Sequence, residues 1–300
     1  MKLLSDEGLR HRTMEAQQAT LLLEPLLGKL PSLTALSRPA VRNAVIRSML
    51  YGCRVAAERD SYDLLDKARI WASSFDDAEV DGPLVQGLGN AEVITDDRYD
   101  DAIPLFGRTL RSHASVSEAL AVLAACGCGY LIDRHAGLIQ LRGAVSNTDY
   151  HRSFTISATP NTVYLDDTAA PLQMAEAILH ESSHNFLNDI LAARGVIIDD
   201  ATFYFSPWRG TQRPASGFLH AVFVFSIVLQ MLKTYSLLTP PLGGAWLDDR
   251  IHLEQVRLEH SVADVERLIR RIGIDWLERL VYDNLNRAIQ ATEGSYGKAK

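Results

Sequence analysis

Cysteine is scarce in this chain of 300 residues, which contains only Cys53, Cys126 and Cys128. An odd number of cysteines in a chain of this size does not make a disulfide framework. Cys126 and Cys128 are separated by a single glycine, so they lack C-x-x-C spacing, and no second pair accompanies them. The sequence therefore predicts small buried thiols and a reducing, cytoplasmic environment.

Basic runs and long apolar segments are also missing. The formal net charge is -7, and without a basic stripe this excludes a general nucleic-acid binder. The longest apolar stretch, Ala221–Leu229, is shorter than the roughly 18 residues that a membrane helix needs. The N-terminal residues MKLLSDEGLRHR turn acidic at once and offer no apolar core for a signal peptide. We expect a cytoplasmic protein that binds neither nucleic acid nor membrane; its oligomeric state stays open.

The spacing of apolar residues predicts an α+β fold that is mainly α-helical, with a small antiparallel sheet beside the helix that carries His180-Glu181-Ser182-Ser183-His184, an H-E-x-x-H sequence. We expect a single catalytic domain over residues 1–300, since no internal repeat or linker divides the chain. Its parts are, in chain order, a helical N-terminal part (about 1–75), a small β section (about 129–166), a core that carries the chemistry (about 170–235) and a helical C-terminal part (about 245–292).

The β section is predicted from short apolar runs with turn residues between them. In GYLIDRHAGLIQLRGAV, two runs flank Arg134-His135-Ala136-Gly137, which suggests a hairpin. SFTISAT and TVYLDD suggest two further strands around Pro160-Asn161. A long helix from about Pro171 to Arg194 follows, with proline near its first turn and Gly195 at its end.

That long helix carries LHESSHNF, in which His180, Glu181 and His184 form H-E-x-x-H. Residues four apart on a helix lie about 40° from each other around the helix axis, so both imidazoles can coordinate one divalent metal ion. Glu181 lies one step round and can reach a bound water or orient a ligand. The alternative is a pair of histidines on a helix surface without a metal.

A catalytic metal site needs a third ligand from the protein. The extended metalloprotease motif would place glycine at 187 and histidine at 190, where this chain has Leu187 and Ile190. The next glutamate after Glu181 is Glu254, a poor fit for the glutamate-type peptidases because it is so distant. His220, on the apolar segment GFLHAVFVF just after the predicted cap Ser216, is the better candidate.

The segment before His220, FYFSPWRGTQRP, contains Arg209 and Arg213. Guanidinium groups hold carboxylates with paired hydrogen bonds, so two arginines near a metal would suit a dicarboxylate co-substrate. The alternative is a surface loop with solvated arginines.

Three segments in this order, LHESSHNFLNDIL, FYFSPWRGTQRP and GFLHAVFVF, resemble the H-E-x-x-H family of peptide-modification proteins, over about residues 170–235. The family accompanies ribosomally made, post-translationally modified peptides and includes iron(II)- and 2-oxoglutarate-dependent hydroxylases of the peptide β-carbon. The resemblance implies that His180, His184 and His220 bind iron and that Glu181 orients a ligand or water. It further implies that Arg209 and Arg213 bind 2-oxoglutarate or the precursor peptide.

The three-histidine set departs from the two histidines and one carboxylate that non-haem iron oxygenases usually use. If a carboxylate joins the metal, Glu181, Asp199 and Asp200 are the candidates. Two other functions stay open at this stage. One is a zinc metallopeptidase that trims a precursor peptide, with Glu181 as general base. The other is a catalytically inactive relative that binds the peptide.

Overall fold

The computed structural model describes residues 1–27, 36–73, 82–87, 108–110, 113–142, 152–168, 170–238 and 244–290. Over these ranges the chain is mainly helical, with one five-stranded and one two-stranded sheet. The predicted α+β class is confirmed. The chain divides into two compact units, and the prediction that it acts as a single catalytic domain stays a prediction. We call them the sheet unit (Lys2–Val122 and Gly129–Gly195) and the helical unit (Met1, Leu123–Cys128 and Val196–Lys300).

Within the ranges that the structure describes, the sheet unit has six helices, of which the fourth ends in the helical unit. They are α1 (Lys2–Leu27), α2 (Pro39–Glu58), α3 (Tyr62–Ser73), α4 (Ala114–Ala125), α5 (Gly129–His135) and α6 (Pro171–Ala193). Its strands are β1 (Leu84–Gly87), β2 (Arg108–Leu110), β3 (Leu138–Arg142), β4 (Ser153–Phe154) and β5 (Thr162–Asp166). The helical N-terminal part is thus confirmed where the structure describes it.

The five strands are ordered β2-β1-β3-β5-β4, with parallel pairs at the centre and antiparallel pairs at both edges. Every residue of β3 and β5 is buried, as in strands covered on both faces. Thr162 contacts Ser48 of α2, whereas Ser153, which pairs with Leu165, contacts Glu181 of α6. Since side chains three apart on a strand point to opposite faces, α2 covers one face and α6 the other.

Apolar residues of α1, α2, α3 and the sheet form one buried cluster, which includes Leu23, Val45, Met49, Trp71, Leu84 and Leu138. Cys53 belongs to it, and burial raises the pKa of its thiol. Cys53 is therefore a small apolar core residue. Cys126 and Cys128, which are predicted to be small core thiols as well, are only partly buried.

The hairpin expected around Arg134–Gly137 is wrong. Gly129–His135 is the helix α5, and β3 follows it directly and pairs in parallel with its neighbours. A run as short as Tyr130–Ile132 fits a buried helix as well as a strand, so its apolar character could not decide. Gly137 makes the tight passage into β3 possible, because a Cβ there would lie 2.0 Å from the carbonyl oxygen of Ala40.

The helical unit contains a hairpin of β6 (Phe203–Ser206) and β7 (Thr211–Pro214), followed by α7 (Ala215–Leu238), α8 (Gly244–Ile272) and α9 (Asp275–Gln290). The predicted helical C-terminal part is confirmed. α7 packs against both α8 and α9. It is also tied to α9 by Lys233 Nζ, which donates to the carbonyl oxygen of Ala288 at 2.6 Å.

Among the described residues, α7 is also the one helix long and apolar enough to cross a membrane. Within its apolar window, 72% of the residues are buried inside the structure. A helix buried to that extent is typical of the core of a soluble protein.

A buried polar network joins α1, α5 and α6 in the sheet unit. Asp189 accepts from Arg12 Nε at 2.6 Å and contacts His135 Nδ1 at 2.7 Å, and His135 Nε2 lies 2.7 Å from Ser5 Oγ. Ser5, His135 and Asp189 are 0% exposed. The helices approach closely here, because a Cβ on Gly8 would lie 3.0 Å from Asp189 Cβ. The network therefore fixes the position of α6 against α1.

We expect the substitution Arg12→Met to lower the free energy of unfolding by about 3–5 kcal/mol, because it leaves the buried Asp189 carboxylate without its cation. Urea denaturation measures this loss. Lys67→Met, which breaks an exposed ion pair with Asp63, serves as the control and should cost no more than about 1 kcal/mol. Equal losses in the two variants would show that the Arg12–Asp189 pair does not anchor α6.

Candidate metal centre

The helix α6 is buried on almost every side. Between Met174 and Leu191, a fully described stretch, the side chains that are not buried are Glu176, His180, His184 and Asn188. These four residues recur every four positions and so form one accessible stripe. Ser182 and Ser183, the two central residues of H-E-x-x-H, are buried and donate to carbonyl oxygens one turn earlier. The two motif histidines thus lie on the open side of a core helix, where their side chains are accessible to a ligand.

His180 and His184 bring their Nε2 atoms to 3.2 Å from each other, with the rings at 70°. Two imidazole nitrogens that bind one ion at about 2.1 Å lie about 3.0 Å apart at a right angle and about 3.4 Å apart at the tetrahedral angle. The observed separation falls between these values. Both donor atoms are therefore placed as two ligands of a single ion would be.

Glu181 lies beside this pair but points into the sheet unit, where it is 3% exposed. Its Oε1 accepts a hydrogen bond from Ser153 Oγ at 2.7 Å and lies 4.0 Å from His180 Nε2. Burial raises the pKa of Glu181 to about 7, and hydrogen bonds from Ser153 and Thr155 act in the opposite direction. A carboxyl group with such a pKa can hold or release a proton near neutral pH.

His220 lies in the helical unit, in the second turn of α7, and is half-buried. Burial is the largest cause that lowers its pKa, to about 4, followed by the charge of Arg213; Asp200 acts in the opposite direction. The imidazole is therefore neutral at physiological pH, the state in which a histidine binds a metal.

Arg213 lies close enough to His220 for its charge to lower the pKa of that imidazole. Its guanidinium group lies against Gly217, where an added Cβ would be 3.1 Å from Nη2. Gly217 is three residues before His220, so both side chains occupy the same side of the first turns of α7. Arg209 instead lies in the exposed turn between β6 and β7. Of the two predicted arginines, the structure thus brings Arg213 to His220 and leaves Arg209 at the tip of the hairpin.

The carboxylates proposed as additional metal ligands have other contacts in the helical unit. Asp200 accepts from the backbone N–H and the hydroxyl of Ser216 at 2.8 and 2.9 Å, so it caps the start of α7. The prediction that Ser216 is the cap is therefore wrong, because Ser216 lies inside the helix and is the donor. Asp199 accepts from the backbone of Ala201 and from Arg271.

Glu254 is fully buried and is surrounded by donors. Trp208 Nε1 donates to it at 2.6 Å, Arg257 Nη1 donates at 2.7 Å, and Arg250 donates as well. Two guanidinium groups already neutralise this carboxylate, which leaves it poorly suited to binding a metal ion. Trp208 also stacks on Phe225 with ring centroids 4.8 Å apart, so it packs in the helical unit.

Within the described part of the chain, no group of three or more His, Cys, Asp or Glu side chains could hold a metal ion. The structure brings together His180 and His184 in the sheet unit, and His220 and Arg213 in the helical unit. Coordination by all three histidines stays a prediction. Sequence reasoning missed the hydroxyls of Ser153 and Thr155, whose two-residue spacing in a predicted strand was the available signal.

Either His180→Ala or His184→Ala should weaken the binding of Zn²⁺ or Co²⁺ by more than about 100-fold. Substitution of a residue that only hydrogen-bonds a metal ligand already lowers metal affinity by about 10- to 100-fold, and loss of the ligand itself should lower it further. A competition titration with a chromophoric chelator measures the affinity. His260→Ala, which removes an exposed histidine of α8, is the matched control. Wild-type affinity in both motif variants would mean that their 3.2 Å contact is only a hydrogen bond.

The lowered pKa of His220 predicts a pH effect on stability in the metal-free protein. Between pH 6.5 and 4 the unfolded chain binds a proton at His220 and the folded chain does not. The contribution of His220 to the free energy of unfolding is therefore fully present above pH 6.5 and is lost as the pH falls. Over this pH interval the free energy of unfolding of the wild type should fall by about 3 kcal/mol more than that of His220→Gln. Urea denaturation with a chelator present measures the difference, with His260→Gln as control. Parallel pH profiles for the wild type and His220→Gln would contradict it.

No family model matches this sequence, and no curated protein matches it. The likeness to the H-E-x-x-H peptide-modification family therefore rests on the three quoted motifs alone.

Proposed function

We propose that this chain is an iron(II)- and 2-oxoglutarate-dependent hydroxylase that acts in the cytoplasm. Its substrate would be the β-carbon of a residue in a ribosomally made precursor peptide. The observation that carries the proposal is the pair of imidazole Nε2 atoms 3.2 Å apart on the open stripe of α6. Neutral imidazole suits ferrous iron, although it suits zinc equally well. The donor atoms present therefore fit the metal.

The choice of iron with 2-oxoglutarate is supported by the pair of Arg213 and His220. A guanidinium group on the same side of α7 as a candidate ligand can offer a carboxylate two parallel hydrogen bonds. Tyr204 pairs with Arg213 across the β6–β7 hairpin and stacks on Phe218, with ring centroids 5.3 Å apart. This aromatic wall would shield the charge of Arg213 from water and so strengthen its hold on a dicarboxylate.

The roles of the residues follow from these contacts. His180 and His184 would hold the ferrous ion, with His220 as the proposed third ligand. When bound, iron with 2-oxoglutarate and oxygen supplies the oxidising power for hydroxylation. Arg213 would orient the far carboxylate of 2-oxoglutarate, with Arg209 available to the co-substrate or the peptide. Glu181, close to His180 and able to take up a proton near pH 7, would orient a water or a ligand.

A zinc metallopeptidase is the second candidate, and the raised pKa of Glu181 favours it. A general base works best when its pKa is close to the working pH, and the pKa of Glu181 is about 7. However, the glutamate that such a peptidase would use as its third ligand, Glu254, is held by two arginines and a tryptophan. The hydroxylase is therefore the better-supported proposal.

We expect the ferrous protein, kept free of oxygen, to develop a visible charge-transfer absorption band when 2-oxoglutarate is added. Because a hydrogen bond to a charged group contributes about 1.5–3 kcal/mol, Arg213→Met should weaken 2-oxoglutarate binding by about 10- to 100-fold. Arg270→Met removes an exposed arginine of α8 and is the control. A titration that follows the band gives each dissociation constant.

The same preparations separate the two candidate enzymes. Succinate that is released only when ferrous iron, 2-oxoglutarate and oxygen are all supplied supports the hydroxylase. Peptide cleavage by the zinc-loaded protein without 2-oxoglutarate would instead support the peptidase and contradict the hydroxylase. If His180→Ala and His184→Ala left both activities and peptide binding unchanged, neither enzyme would be correct.

A further inference from the structure

Two hydroxyl groups hold the carboxylate of Glu181. Ser153 Oγ donates to Oε1 at 2.7 Å, and Thr155 supplies a second side-chain hydrogen bond. Ser153 lies in β4 and Thr155 directly after it, and both side chains reach Glu181. Since Glu181 is also 3% exposed, packing and both hydroxyls restrict its rotation. The carboxylate is thereby fixed in one orientation beside His180.

Ser153 is itself held by the backbone of the residue before it, Arg152. The backbone N–H of Arg152 donates to Asp166 Oδ2 at 2.9 Å. Its carbonyl oxygen accepts from the backbone of Asp166 at 3.0 Å and from Arg142 Nη2 at 3.3 Å. Arg142 and Asp166 form an ion pair of 2.6 Å between the ends of β3 and β5. A largely buried ion pair therefore secures the backbone from which Ser153 extends.

The next residue secures β4 from the opposite face of the sheet. Phe154 stacks on Tyr164, with ring centroids 4.8 Å apart and planes at 2°. The guanidinium carbon of Arg142 lies 5.3 Å from the centre of the Phe154 ring. Because consecutive strand residues point to opposite faces, this stack holds Phe154 while leaving Ser153 directed at α6.

The contacts that hold the edge strand β4 are more polar than its stability requires. Buried ion pairs are often replaced by apolar residues with no loss of stability, because removing both charges from water costs about as much as their attraction returns. Apolar contacts could therefore hold β4 against α6. The hydroxyl groups of Ser153 and Thr155 do what apolar contacts cannot, because their hydrogen bonds orient the carboxylate of Glu181.

We infer that Ser153 is a positioning residue for Glu181, a role that rests on the hydroxylase activity proposed above. Together with Thr155, it fixes Glu181 Oε1 at 4.0 Å from His180 Nε2, where the carboxylate can orient a ligand or a water beside the metal. The Arg142–Asp166 pair sets the strand so that the hydroxyl reaches that oxygen. Ser153 touches neither the co-substrate nor the metal and acts through Glu181.

The test compares the iron-loaded full chain with Ser153→Ala and with Ser153→Thr, which keeps a hydroxyl. Succinate release with 2-oxoglutarate, measured without any peptide, gives kcat and KM. Because a misplaced group costs up to about 100-fold in rate, Ser153→Ala should lower kcat by about 10- to 100-fold. The KM for 2-oxoglutarate and the affinity for iron should change less than about twofold, since binding groups are untouched. Ser153→Thr should recover most of the rate.

Ser261→Ala is the matched control, because it removes a buried hydroxyl that donates only to the carbonyl oxygen of Arg257 in α8. It should lower Tm without changing kcat. If Ser153→Ala behaved in the same way, with a lower Tm and an unchanged kcat, its hydroxyl would be a structural contact and the inference would be overturned.

A second measurement does not depend on activity. In the metal-free protein, Ser153→Ala should lower Tm in the wild-type background and cause no further decrease when Glu181→Leu is already present, because the hydroxyl then has no acceptor. Should the double variant not fold, a crystal structure of Ser153→Ala replaces it and should show Glu181 in more than one rotamer. Additive Tm losses, or an unmoved Glu181, would overturn the inference.

The two proposals can fail separately. A wild-type chain that releases no succinate while the Tm losses are non-additive would refute the hydroxylase and, with it, the role of Ser153 in that reaction. A wild type that releases succinate and a Ser153→Ala variant of equal kcat would refute only the role of Ser153.

Discussion

The buried carboxylate of Asp189 is the constraint on which the motif helix depends. An ionised group at 0% exposure is tolerated only when other groups satisfy it, and here Arg12 and His135 do so from α1 and α5. Neither helix can shift without leaving that charge unpaired. α6 is therefore fixed near its C-terminal end, and its open stripe keeps a constant direction. The direction in which this stripe faces therefore depends on a residue outside the motif, Asp189.

Part of this arrangement could be predicted from the sequence. The helix that carries H-E-x-x-H begins at Pro171 as expected, and Gly195 follows it in a left-handed conformation, with φ of 61°. These features are local, because proline at the first turn and glycine after the last act through their own backbone. The convergence of His180 and His184 is equally local, since helix geometry alone determines it.

Other parts depend on contacts that are distant in the chain. Asp200 replaces Ser216 as the cap of α7 because a turn 16 residues earlier brings its carboxylate to the free N–H groups. The sequence predicts a strand where the structure has α5, since its apolar residues fit either structure and only packing against α6 and α1 decides. The contact of Ser153 with Glu181 depends on the pairing of β4 with β5, which no single segment encodes.

The four-residue repeat of the open stripe limits how many donors α6 can provide. Each step along the stripe rises about 6 Å and turns about 40°, so two neighbouring side chains can meet at one point and a third cannot. The helix by itself could therefore supply at most two ligands to one ion, whatever residues stand at positions 176 and 188. Every further donor must come from another segment or from solvent. A preference for one metal over another would consequently be a property of those outside groups, and it could change in evolution while the helix stays the same.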